Sequence, residues 1–72
     1  MPGVPEAISS VAELLTKAFG FAVDPGGYEQ LSHASRLNMI RRGIDASLEK
    51  GDLATADLLF ANYRDLLRQV GP

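Results

Sequence analysis

The sequence contains no cysteine and no tryptophan, a single histidine, and only 7% aromatic residues. Without cysteine there is no disulfide and no thiolate metal site to staple a small fold. One histidine leaves too few ligands for a closed metal centre and too few partners for a nucleophile, base and orienting group. Long apolar runs are also missing. The near-apolar stretch from Ala7 to Val23 is interrupted by Glu13 and Lys17 and lacks a basic start, which argues against both a spanning helix and a secretory leader. Residue 2 is Pro rather than Gly and the final residues are Val70-Gly71-Pro72, so neither N-myristoylation nor C-terminal prenylation is expected. The expected location is the cytoplasm. Basic residues are not in excess: seven Lys and Arg against nine Asp and Glu leave a net charge of −2. That balance argues against a nucleic-acid coat or a basic membrane-surface peptide.

What remains is 46% hydrophobic residues in a chain of 72, too apolar for a disordered segment and long enough for a single small domain over residues 1–72. Their spacing predicts an all-α protein. Two breakers, Asp24-Pro25-Gly26-Gly27 and Gly51-Asp52, separate three segments with helical periodicity. In the first, about 5–20, Ile8, Val11, Leu15, Ala18, Phe19 and Ala22 recur at steps of three and four with Leu14 beside them. Pro5 suits the first helical position and Glu6 the positive end of the helix dipole. The second segment, about 28–50, carries Leu37, Ile40, Ile44 and Leu48 on one side. Tyr28 and Leu31 drift off that stripe, so the helix either bends or restarts near Ser32, a residue suited to capping. The third, about 52–70, has Ala56, Leu59, Phe60, Tyr63, Leu66, Leu67 and Val70 within about a third of the helical circumference. Asp52 is its natural N-cap, Gly51 closes the helix before it, and Gly71-Pro72 ends it. The two-residue link between the second and third segments predicts an antiparallel helical hairpin. Its stripes need a cover, supplied by helix 1, by a second copy of the chain or by a partner protein.

The remaining polar residues have plain structural uses. His33 lies four residues after Glu29, a spacing that aligns two side chains on one helix face but stops short of a metal site. Ser9, Ser10, Ser32, Ser35 and Ser47 read as caps and solvent-face residues. Gly26, Gly27 and Gly51 read as turn residues, lacking the spacing of a phosphate-binding loop. Gly43, inside a helix, either permits close helix approach or is simply tolerated at a cost of about 1 kcal/mol. Arg36, Arg41 and Arg42 are followed by Asp45 and Glu49, so the expectation is Arg41–Asp45 and Arg42–Asp45 pairing, with Asp65–Arg68 alike, rather than a surface for nucleic acid. Off the stripes stand Leu58 on the back of the third helix and Met39 on the back of the second beside Arg42. Met39, Arg42 and Leu58 are therefore the expected partner-contact residues. Phe21 and Tyr28 flank the first breaker and either close an end of the core, which is the expectation, or anchor a partner.

Two resemblances add to this. The run Leu48-Glu49-Lys50-Gly51-Asp52-Leu53-Ala54-Thr55-Ala56, followed by Phe60, resembles the middle of a tetratricopeptide repeat, in which Gly-Asp turns one helix into the next. Ile44 replaces the small residue expected there and no second copy exists, so the likeness stops at a tight helical hairpin. The wider layout, with Pro-Glu-Ala-Ile at the start, an Asp-Pro-Gly-Gly-Tyr link and Phe-Ala-Asn-Tyr-Arg in the last helix, resembles small helical accessory proteins encoded by tailed phages and prophages. That resemblance implies an accessory factor or inhibitor that binds a host or virion protein, or a component of a lysis region. The expectation is a non-enzymatic protein-binding module, homo-oligomeric, with no cofactor and no metal. The alternative is a membrane-peripheral protein that lays helix 1 in the lipid interface, against which Lys17 stands alone beside Glu6 and Glu13.

Overall fold

A computed structural model describes residues 10–69, and every regular element among them is helical. Four helices pack together: α1 (Val11–Phe19), α2 (Pro25–Glu29), α3 (His33–Lys50) and α4 (Leu53–Arg68). Each boundary has a local chemical cause. The Ser10 hydroxyl accepts the Glu13 N–H at 3.1 Å, which starts α1 at Val11. The expected start at Pro5 and Glu6, with Ile8 and Ser9, lies outside the described residues. Gly20, at φ 83°, closes α1 in the left-handed conformation that glycine adopts without steric cost.

Contrary to expectation, Asp24-Pro25-Gly26-Gly27 begins a helix instead of only breaking one. Asp24 Oδ2 accepts the Gly27 N–H at 2.7 Å and Pro25 occupies the first turn, where its missing N–H costs nothing. The resulting α2 is one short turn. It ends at Glu29, and Ser32 caps a new start by accepting the Ser35 N–H at 3.1 Å. The segment expected at 28–50 is thus two helices with the break at Gln30-Leu31-Ser32, the restart that the drift of Tyr28 and Leu31 allowed. Glu29 and His33 consequently belong to different helices. Gly51, at φ 77°, and Asp52, which accepts the Thr55 N–H at 3.1 Å and the Thr55 hydroxyl at 2.6 Å, form the link into α4. The described helix ends at Arg68, with Gln69 as its cap; Val70, Gly71 and Pro72 lie outside the described residues.

The most extensive packing is α3 on α4, and α1 lies across both. Leu15, Ile40 and Leu59 are completely buried where the three meet, flanked by Leu14, Ala18 and Leu66. Burying side chains of this size contributes roughly 1.5–3 kcal/mol each, which gives α1 its place. Gly43 settles how close the helices come: a Cβ there would stand 2.6 Å from Leu15 Cδ2 and 3.1 Å from Leu59 Cδ1. Close approach, and not mere tolerance, is its use. Hydrogen bonds hold the far end of α1. Thr16 Oγ1 donates to the Ala12 carbonyl and accepts the Val23 N–H, both at 2.9 Å, and Lys50 Nζ donates to the Lys17 carbonyl at 3.1 Å.

Burial departs from the expected stripes in a consistent direction. Ala12 and Leu14, off the main stripe of α1, are buried, whereas Ala22 lies beyond the helix and is exposed. Ser47, expected on the solvent face, is fully buried with its hydroxyl unpartnered. On the other side of the pair, Leu48, Phe60 and Leu67, all expected on the apolar stripes, are about half exposed. One cause accounts for all of these. The α1 helix packs on the flank of α3 and α4 that carries Gly43, Ser47, Thr55 and Leu66, and leaves the opposite flank bare.

Candidate functional site

The bare flank is built by two helices of different register. On α4, Leu53, Phe60 and Leu67 stand seven residues apart, a spacing that keeps them on one side of the helix with a drift of about 20° per step. Leu53 is 67% exposed, Phe60 49% and Leu67 47%. On α3, Leu37, Ile44 and Leu48 line the facing side, Leu37 and Ile44 half-buried and Leu48 51% exposed. Between the helices runs a shallow groove lined by Ile44, Leu48, Leu53, Ala56, Asp57 and Phe60. Single exposed apolar residues are ordinary on a small protein, but here they form a contiguous strip along two helices.

Charges border this strip on both sides. Arg64 lies over the Phe60 ring with its guanidinium carbon 6.0 Å from the centroid, and Asp57 lines the groove. Arg41 and Asp45 are exposed on the α3 side. Among the described residues these four form no ion pair, and the pairing expected between Arg41 or Arg42 and Asp45 is absent. Asp65 and Arg68 do approach, at 3.9 Å, on the exposed surface.

The three residues expected to contact a partner are not brought together. Leu58, 49% exposed, borders a groove between α1 and α4 with Glu13, Leu14, Lys17, Asp52 and Ala54. Met39 is half-buried against the core and shares a different hollow with Phe21, Val23, Tyr28 and Leu31. Arg42 is exposed on α3. The strip centred on Phe60 escaped the sequence reading because its residues fall within the broad apolar arc of α4. The available signal was the width of that arc, which one short helix cannot cover, together with the sevenfold step from Leu53 to Phe60 to Leu67.

The titratable groups serve structure. The hydroxyl and N–H of Thr55 hold the Asp52 carboxyl below its ordinary value, the side-chain bond contributing most. Burial pushes the Tyr28 phenol up, partly opposed by Arg36, whose guanidinium lies 5.7 Å from the ring centroid. Arg36 also donates to the Glu29 carbonyl and approaches its carboxylate at 3.9 Å, tying α2 to α3 across the break. The ring of His33 carries a buried Nε2 without a hydrogen-bond partner. Among the described residues no three His, Asp or Glu side chains gather to hold a metal ion, and no helix is long and apolar enough to cross a membrane.

No protein-family model matches the chain, and neither a curated protein nor a solved structure is similar to it. The geometry of the bare flank therefore carries the functional reading.

Proposed function

We propose that this chain is a non-enzymatic protein-binding module whose working unit is the antiparallel hairpin of α3 and α4, buttressed on one side by α1. The observation that carries the reading is the strip of Leu48, Leu53, Phe60 and Leu67, each about half exposed or more and none covered by the described helices. Such a surface gains from meeting another polypeptide by the same burial that holds the core together. It supports a homo-oligomer, for which the proposed location is the cytoplasm, with the surfaces at Leu58 and at Met39 and Arg42 left for a second protein. A small accessory factor or inhibitor of the kind that tailed phages encode is the role this arrangement suits. The lipid-interface alternative gains nothing from the fold, because Leu14, Leu15 and Ala18 of α1 face the core.

The test is affinity capture from host extract with the purified full chain, read by mass spectrometry, alongside sedimentation velocity of the chain alone. The expected outcome is self-association together with stoichiometric recovery of one protein, reduced by Leu58→Glu or by Met39→Glu. A chain that neither self-associates nor recovers any protein refutes the reading.

A further inference from the structure

The bare strip has an internal symmetry that goes with one particular occupant. On α4, Leu53 and Leu67 lie seven residues either side of Phe60, while Asp57 lies three before it and Arg64 four after it. On α3, Arg41 lies two residues before Gly43 and Asp45 two after it, and Leu37 and Leu48 lie six before it and five after it. The two centres lie within about one helical turn of the same height, since a Cβ on Gly43 would stand 3.1 Å from Cδ1 of Leu59, the neighbour of Phe60. A two-fold axis at that level, lying in the plane of the strip and perpendicular to the helices, maps each helix antiparallel onto its own copy. Under it Phe60 meets Phe60, Leu53 meets Leu67, Asp57 meets Arg64 and Arg41 meets Asp45. A single operation thus matches Leu53, Phe60 and Leu67 among themselves and sets each of these four border charges against its opposite. The alternative axis, parallel to the helices, does the reverse: it would set α3 over α4 and bring Arg41 to Arg64 and Asp45 to Asp57.

We propose that the α3–α4 face is covered by a second copy of the chain in an isologous, four-helix layer about the perpendicular two-fold axis. This deepens the protein-binding reading and rests on it. The strip is the self-complementary half of an interface, with Phe60 on the axis and the Asp57–Arg64 and Arg41–Asp45 pairs setting the register at its borders. Border charges of this kind fix orientation more than they add affinity.

The exposed pair Asp57 and Arg64 allows a test that leaves the fold intact. In a homodimer of Asp57→Arg, two guanidinium groups face each other at each of these contacts; in one of Arg64→Asp, two carboxylates do. Each variant alone is expected to dimerise about tenfold more weakly than the wild type. Mixed in equal amounts the two are expected to prefer each other, since in the heterodimer both contacts pair opposite charges where each homodimer has two like-charged contacts. The double variant D57R/R64D is expected to dimerise like the wild type, because both contacts are again of opposite sign. Sedimentation velocity and native mass spectrometry read the species, and circular dichroism confirms that the helix content is kept. A wild type that stays monomeric to about 1 mM overturns the proposal, as does a dimer whose strength the single variants do not change or the double variant does not restore. Either result, with a captured partner protein, leaves the protein-binding reading standing and removes only the dimer.

Discussion

Replacing Gly43 by Ala sets two effects against each other, and the structure decides which is larger. Ala favours a helix interior over Gly by about 1 kcal/mol, so an exposed site in the middle of α3 would gain stability. At this site the new methyl carbon would stand 2.6 Å from Leu15 Cδ2 and 3.1 Å from Leu59 Cδ1. Carbon atoms pack best at about 3.5–4.0 Å, so Leu15 must retreat by about 1 Å and Leu59 by about half that. Neither has room, for both are completely buried. Overfilling a packed core costs roughly 1–3 kcal/mol, and the net expectation is a loss of about 1 kcal/mol or somewhat more. Urea unfolding followed by circular dichroism reads it as a lower midpoint at unchanged slope. The decisive arm is the double variant. Leu15→Val shortens the colliding side chain at a cost of about 1 kcal/mol, and in that background Gly43→Ala is expected to be neutral or stabilising. An equal loss in both backgrounds, or a gain in the wild type, would show that α1 does not press on α3 at this point.

Burial and hydrogen bonding fix the outcome of three other perturbations. Ser47→Ala removes a fully buried hydroxyl that has no partner, so calorimetry should show an unchanged or raised melting temperature, by up to about 4–8 °C; a fall would mean that the hydroxyl is satisfied. Leu59→Ala is expected to cost about 2–5 kcal/mol, while Phe60→Ala, at a half-exposed position, costs about 1 kcal/mol or less in dilute solution. Equal costs would place Phe60 inside the core. The Asp52 carboxyl, held below its usual 3.8 by Thr55, contributes stability that is present above that value and is lost as the pH falls through the lowered folded-state value. Acid unfolding of Asp52→Asn should therefore be shallower below about pH 4 than that of the wild type, and parallel curves would count against the capping account.

The helices were legible wherever the deciding chemistry is local. Ser32, Gly51 and Asp52 mark boundaries from the sequence because an N-cap oxygen and a left-handed glycine act within a single turn. Asp24-Pro25 misled for the same reason. An Asp before a Pro announces both a chain reversal and a helix start, and only the packing of Tyr28 against the core selects the second. Burial was less legible. Leu59 and Phe60 are neighbours in the same apolar arc of α4, yet one is sealed and the other half exposed, because the choice depends on which flank α1 takes. Nothing in the spacing of α4 encodes that choice. It comes from Gly43 on α3, the residue small enough to admit Leu15, and with α1 seated there Ser47 is enclosed and the strip around Phe60 is left open. The candidate site was therefore hidden by a pattern that marks every apolar residue on α4 as interior.

The Thr16 hydroxyl, bonded to both the Ala12 carbonyl and the Val23 N–H, has a bearing on how the proposed dimer would come apart. It clips the exit of α1 to its own last turns, and the Asp24 cap turns the backbone again at once. A connection doubled back so tightly has no slack with which to hand α1 to a neighbour, so exchange of that helix between subunits would have to undo both bonds first. In the proposed dimer, copies that separate on dilution would then leave with their own buttress in place, as intact folded units ready to reassociate rather than as fragments of an obligate, intertwined complex.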